Sequence, residues 1–381
     1  MNNPRIIRIE WARLEGRRPR HAHANARLLD HGVVVRPPVM RITTEDGATG
    51  FGHSLASRGE AEALLGVPLN DLFDLQEGAR EAGRRFDYPL WDLAGQRAGQ
   101  PVYALVAAQS GVPVTQPFRV PCYDTSLYID DLEIVSDEAA AELIAEEARA
   151  GYARGHRAFK VKIGRGARHL PLEQGTRRDV LVIRAVRAVV GPDATMMIDA
   201  NNGYNLNLAK RVLAETADCA VYWLEEPFHE DVVLYRDLRE WLAKEGLSIL
   251  IADGEGQASP LLLDWALEGV IDVVQYDIFA HRFSGWLATG RHLDEWGVGT
   301  APHHYGGHYG NYVTGHLAAG IQKFQRVEWD EAETPGLDGS GYQIQDGQIS
   351  IPARPGFGLG LDEAVFRRAV EDGGYVVASG R

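Results

Sequence analysis

A chain of 381 residues with 53 Asp and Glu against 39 Lys and Arg, net charge -14, is too long for one small core. It is also too acidic for nucleic acid or an anionic membrane to be its general partner. Its apolar share is ordinary, no apolar run is long enough to span a bilayer, and Cys122 and Cys219 stand too far apart for a disulfide framework or a thiolate metal site, which together point to a cytoplasmic protein.

Residues 5–11 and 33–43 read as strands, and Asp46-Gly47 is a tight-turn signal leading back through Phe51, so the chain opens on a small antiparallel sheet. The polar stretch from Arg17 to Asp30, with His21 and His23, reads first as a solvated loop and second as a flap over a site. From Glu60 to Arg97 the spacing predicts helices, with Phe86, Leu90, Trp91 and Leu93 as a core stripe. After Gly111-Val112-Pro113 the pattern changes to short apolar runs alternating with amphipathic helices. Ser136 is placed to cap a helix carrying Ala140, Leu143, Ile144 and Ala148 on one side. Thr176-Arg177-Arg178-Asp179 has the form of a capping box before Val182, Ile183, Val186 and Val190, with Gly191-Pro192 as the stop.

The run Phe159-Lys160-Val161-Lys162-Ile163, read as a strand, puts two lysines on one face. Buried ammonium groups are costly unless compensated, so the pair marks a site where carboxylates or a ligand neutralise them. Lys162, Asp199, Glu225, Glu255, Asp277, His303 and Glu328 then recur at the ends of successive apolar runs. Each interval is long enough for one strand, one helix and two loops, the repeat of a parallel β/α barrel whose active sites lie at the C-terminal ends of the strands. A doubly wound open sheet is the rival architecture, but no glycine-rich phosphate fingerprint follows a first strand.

One acidic side chain is usually a surface group, but Asp199, Glu225 and Glu255 stand at three matching positions and offer hard oxygen ligands suited to Mg²⁺. Asp253 shares the parity of Glu255, so parity alone does not choose the third ligand, while Glu226 points the other way. Lys160 and Lys162 face the same pocket. A lysine acts as a base only when neutral, and a second lysine and a metal cation would depress its pKa; the alternative is a pair of structural salt bridges to the carboxylates. Asp277 could fix the tautomer of His303, and Glu328 could hydrogen-bond a substrate or donate a proton. A different reading, a hydrolase built on His303, His304 and His308, would need Zn²⁺.

Lys160-Val161-Lys162, Asp199-Ala200-Asn201, Leu224-Glu225-Glu226-Pro227, Asp253-Gly254-Glu255, Gln275-Tyr276-Asp277 and Ala301-Pro302-His303 together resemble the enolase superfamily, mandelate racemase subgroup. The likeness includes Leu90-Trp91-Asp92-Leu93-Ala94-Gly95 before Gln100-Pro101, and so covers nearly the whole chain. It implies an α/β fold: a modified (β/α)7β TIM-like barrel with an α+β N-terminal cap domain. The cap would span 1–118, the barrel 119–353, and 354–381 would return to the cap.

The resemblance further implies Asp199, Glu225 and Glu255 as Mg²⁺ ligands, Lys162 as one acid/base beside Lys160, His303 with Asp277 as the opposite acid/base, and Glu328 as an electrophilic acid. Asn201, His304, His21 and His23 are the expected substrate contacts. The expected reaction is Mg²⁺-dependent dehydration of an acid sugar, an aldonate or aldarate, by α-proton abstraction, an enediolate and loss of the β-hydroxyl to a 2-keto-3-deoxy acid. Racemisation or epimerisation of a 2-hydroxy acid through the same enediolate is the alternative. A small carboxylate is the expected partner, within a homo-oligomer. The segment Ile278 to Gly285 lacks the paired glycines common in relatives, and the loop His304, Tyr305, Gly306, Gly307, His308, Tyr309 is unusual, which leaves the substrate open.

Overall fold

The period-two pattern around the paired lysines is realised as a closed barrel. In the computed structural model, which describes residues 3–256, 258–305 and 307–380, eight strands follow one another: Phe118–Leu127, Ala158–Lys162, Thr195–Asp199, Val221–Glu225, Leu250–Asp253, Val273–Val274, Gly299–Thr300 and Val327–Trp329. The first seven are hydrogen-bonded in parallel, each to the next. A bridge from Thr300 to Phe324 and parallel pairing of the eighth strand with the first close the ring. Tyr123, Ala158, Met197, Trp223, Ala252, Val273 and Ala301 fill its interior. Phe159, Val161, Ile163, Met196, Ile198 and Leu224 point outward into the larger core shared with the helices. Lys160 and Lys162 therefore share the inner side with Ala158.

The helix Asp137–Ala153 starts as the sequence indicates, with the Ser136 hydroxyl accepting from the Ala139 amide. The next helix departs from expectation. It runs from Leu172 to Val190, one turn earlier than the apparent capping box, because Pro171 sets its entry. Thr176 lies inside it and donates to the Leu172 carbonyl, and Asp179 turns inward to Arg165. Gly191, at φ 78°, ends the helix where the Gly-Pro pair was read as a stop.

The cap sheet contains Ile6–Arg13, Pro38–Thr44 and Thr49–His53, and the C-terminal strand Tyr375–Ala378 adds to its other edge, all antiparallel. The helix Asp87–Ala98 lies so close to this sheet that a Cβ at Gly50 would stand 2.3 Å from the Leu93 nitrogen, so only glycine fits. Asp92 then accepts from the amides of Phe51 and Phe357, tying the sheet and the C-terminal segment to one helix.

The polar stretch 17–30 is not a solvated loop. Gly16–Ala22 pairs antiparallel with Gly32–Val35, and the hairpin lies against the barrel mouth. Its charges are polar because they are paired there: Arg18 with Asp330 at 3.0 Å, and Arg20 with Glu331 and, at 3.3 Å, Glu147. The tip joins the barrel through the His23 amide to Ile129 O and the Ala26 amide to Gly164 O. No helix among the described residues is long and apolar enough to cross a membrane.

Candidate active site

Strand alternation delivers Lys160 and Lys162, Met197 and Asp199, Trp223 and Glu225 to one inner wall, and register aligns Lys162 with Asp199 and Asp199 with Glu225. At the fifth strand the alternation breaks. Gly254 has φ 123°, a conformation side chains resist, and the chain turns there. Asp253 is left to accept from Tyr235 and the Gly254 amide, while Glu255 swings in. This resolves the choice that parity left open. Ligand atoms of Asp199, Glu225 and Glu255 all lie within 4.8 Å of one another.

The cluster fits a hard divalent cation on its own chemistry. Its donors are carboxylate oxygens, and Glu255 Oε2 is buried without a hydrogen bond, 3.4 Å from His303 Nε2. Burial and Asp199 push the Glu225 carboxyl up to about 8, against the pull of both lysines. Burial would also raise Asp199, but Lys162 and Lys160 outweigh it and hold that carboxyl at about 2.

Lys160 is fully buried among Glu225 Oε1 at 2.5 Å, Glu328 Oε1 at 3.1 Å and Asp199 Oδ2 at 3.4 Å. Lys162 meets Asp199 and donates to Asn201 Oδ1 at 2.9 Å. The lysine pair was expected to lower the pKa of Lys162. Burial and Lys160 do act in that direction, but the Asp199 carboxylate prevails and raises it. The arrangement is that of the salt-bridge alternative, in which the lysines stay charged while the carboxylates face them.

His303 stands at the end of the seventh strand with Nδ1 3.2 Å from Asp277 Oδ2. Burial works against its positive charge, yet Glu255, Glu328 and Asp277 raise the imidazole to about 9. Asp277 also caps the short helix Ile278–His281, which fixes its carboxylate. Glu328 is an ionised acceptor rather than an acid: Lys160 and His303 overcome its burial and hold it well below the usual range. It takes bonds from Thr125 at 2.8 Å and from the amides of His304 and Tyr305 at 2.7 and 3.0 Å.

The remaining expected contacts separate. Asn201 lies between Lys162 and Glu226. His304 is locked in the wall by the Glu328 carbonyl, and His308 lies against Thr334 and Tyr312. Those two and His303 form no metal-holding group among the described residues, which removes the Zn²⁺ hydrolase reading. Gly306 of the same loop lies outside the described residues. His21 and His23 stack on each other and meet Asp30 on the hairpin.

Sequence reasoning missed the aromatic rim. Tyr128 and Tyr305 stack at 4.9 Å, Lys162 Nζ lies 5.2 and 6.0 Å from their ring centres, and His31 of the hairpin meets both rings edge-on. These residues come from three separate loops, so no spacing links them. Gln275 and Trp223, which donate to Glu225 Oε2 at 2.9 and 3.0 Å, follow from strand parity and could have been found.

The sequence profile of the family described as "Enolase C-terminal domain-like" matches residues 143–365. The chain belongs to the enolase superfamily. Within it, the chain is similar to galacturonate dehydratase from a Geobacillus species. A mutant of that enzyme complexed with Mg superposes at a TM-score of 0.96 with 46% identity, covering 100% of this chain and 98% of the other. The enzyme complexed with D-galacturonate and 5-keto-4-deoxy-D-galacturonate gives a TM-score of 0.93 and 47% identity over 99% of each chain. Arabinonate dehydratase of Saccharolobus solfataricus is 26% identical over 361 residues, 85% of this chain and 88% of its own. These superfamily relatives are acid-sugar dehydratases, which are hydro-lyases, and the cap-and-barrel arrangement described above is the superfamily fold.

Proposed function

We propose that this chain is a Mg²⁺-dependent dehydratase of an acid sugar, and that a hexuronate of the D-galacturonate type is its substrate. The observation that carries the reading is the Asp199, Glu225, Glu255 cluster flanked by Lys162 on one side and the His303–Asp277 pair on the other. Identity of 46–47% along essentially the whole chain to a galacturonate dehydratase supports the substrate class, an acid sugar as expected from sequence but a uronate in place of the aldonate or aldarate.

Asp199, Glu225 and Glu255 would hold the ion. When bound, Mg²⁺ would supply positive charge that offsets the charge developing on the substrate carboxylate. Lys162, as the neutral amine left once its own proton has passed to solvent, takes the proton from the carbon next to the carboxylate. The C–O bond to the neighbouring carbon breaks, and protonated His303 gives its proton to the departing hydroxyl, which leaves as water. Tautomerisation yields a keto group beside the carboxylate and a deoxy carbon next to it, the 2-keto-3-deoxy pattern counted from the carboxylate. Asp277 serves the acid step because it keeps His303 charged and oriented from outside the ligand cluster. Glu328 acts by holding Lys160 and the 304–305 backbone.

The test is incubation of the purified protein with Mg²⁺ and a panel of hexuronates, aldonates and aldarates, read by proton NMR in deuterated water. Formation of the keto-deoxy acid from D-galacturonate is the expected result, and a panel left wholly unchanged would overturn the reading. Deuterium exchange without a keto product would instead select the racemase alternative. We further propose a cytoplasmic homo-oligomer; the unpaired, buried Cys122 and Cys219 support a reducing compartment.

A further inference from the structure

Asn25, at the tip of the hairpin, lies outside every motif described above and is nevertheless among its most thoroughly bonded residues. It is 2% exposed. Its Nδ2 donates to Ala200 O at 2.8 Å and to Ile163 O at 3.3 Å. Its Oδ1 accepts from the amides of Arg27 and Leu28 at 2.8 and 2.7 Å, and its backbone oxygen accepts from His169 Nε2 at 2.9 Å. The two carbonyls it reaches follow directly on Lys162 and Asp199, whose side chains are in contact. The Ile163 amide also donates to Asp199 O at 2.9 Å, so the two strand ends are already tied together where Asn25 grips them.

A planar amide is the side chain that can donate two hydrogen bonds and accept two at once. The two halves do different things here. The acceptor half shapes the hairpin's own turn, and the donor half reaches across to the barrel. The surroundings leave room for it: a Cβ at Gly164 or Gly203 would stand 3.2 or 3.4 Å from Nδ2. The Ala26 amide adds a bond to Gly164 O at 3.0 Å beside it.

We infer that Asn25 is a positioning residue, a latch that couples seating of the hairpin 16–35 over the barrel mouth to the placement of Lys162 and Asp199. The inference rests on the roles proposed above for those two residues. With the latch seated, the tip closes beside the strand ends that bear the proton-transfer lysine and a cation ligand. With it released, the hairpin keeps its Arg18 and Arg20 ion pairs, but the tip and the two strand ends lose their common fixing point.

N25D separates the halves, because aspartate keeps the acceptors for Arg27 and Leu28 but sets a carboxylate against two carbonyl oxygens. Two measurements apply: steady-state kinetics on the acid sugar that the wild type turns over, and amide hydrogen exchange over 23–31, 163–164 and 200–203. The expected result is a fall in kcat on the order of tenfold to a hundredfold with KM changed less than about threefold, the penalty of a small misplacement of reacting groups. Faster exchange should appear in all three segments. Wild-type kcat, a change confined to KM, or unchanged exchange in N25D would overturn the latch. A loss in N25A that N25D restores would also overturn it, by assigning the effect to the turn. Should N25D fail to fold, N25A is read by the same two measurements. If the wild type converts no acid sugar, the proposed function fails, while the exchange experiment still decides the latch.

Discussion

Replacing Lys160 with methionine removes the ammonium charge that stands 2.5, 3.1 and 3.4 Å from Glu225, Glu328 and Asp199. Methionine keeps the length and apolar stem, so the change is nearly a pure deletion of charge at a site with no exposure. Breaking a buried ion pair from one side costs about 3–5 kcal/mol, because the remaining charges keep their desolvation cost without a partner. For a chain of this size that is a fall in Tm of roughly 4–6 °C. The sign with pH follows from Glu225, whose carboxyl is already raised to about 8, with Lys160 among the groups opposing the rise. Without Lys160 it rises further, so the folded state binds a proton that the unfolded chain releases above the ordinary carboxylate range. Stability of the metal-free variant therefore grows as pH falls from 8 toward 5. A divalent cation supplies the charge that was deleted, so Mg²⁺ should raise the variant's Tm more than the wild type's. Calorimetry of both proteins with and without Mg²⁺, at pH 8 and pH 6, measures each part. A loss below about 1 kcal/mol, or equal Mg²⁺ effects in the two proteins, would refute the reasoning.

Glu225→Gln should weaken Mg²⁺ binding on the order of a hundredfold or more, read by titration calorimetry, and unchanged affinity would remove Glu225 from the ligand set. Lys162→Ala and His303→Asn should each lower kcat/KM on the order of a thousandfold with circular dichroism unaltered; full activity in either would exclude that residue from proton transfer. Asp277→Asn removes a hydrogen bond to a charged imidazole, about 1.5–3 kcal/mol, or about one to two pKa units. Since His303 acts as the acid, activity is lost as pH rises through its pKa, near 9 in this structure, so the alkaline limb of the pH profile should move down by about that amount. An unmoved limb would show that His303 is not the group being titrated.

What the sequence revealed follows the reach of each signal. Strand parity is local, and it correctly placed Lys160, Lys162, Asp199 and Glu225 on one face. It failed at Glu255, because one glycine at φ 123° resets the alternation, and φ is not written in the residue pattern. The hairpin was read as solvated because Arg17 to Asp30 is polar, yet Arg18 and Arg20 find their counter-charges at Asp330, Glu331 and Glu147, more than a hundred residues away. The supposed capping box at Thr176 was a coincidence of residue types inside a helix. Its Asp179 belongs to a buried network in which Arg165 pairs with both Asp131 and Asp179 at 2.8 Å. A long-range ion pair leaves no periodicity to read, and the aromatic rim of Tyr128, Tyr305 and His31 is illegible for the same reason.

Charge on the inner wall closes the argument about the two lysines. Glu226 and Asp253 are both pushed well above the ordinary carboxylate range, chiefly by burial, and are taken up by other partners, Asn201 for the first and Tyr235 for the second. That leaves Asp199, Glu225, Glu255 and Glu328 against Lys160 and Lys162, while His303 and Asp277 cancel each other. With all four carboxylates ionised, the wall carries two uncompensated negative charges, the charge of one divalent cation. In the structure the excess is partly relieved by the raised Glu225 carboxyl, which shares a proton in place of a cation. Binding of Mg²⁺ should therefore release protons near neutral pH. Proton release measured by titrating Mg²⁺ in buffers of different ionisation enthalpy tests this balance: a fraction of a proton released at pH 7, falling toward zero as pH rises above 8, is the expected outcome, and uptake of protons would contradict it.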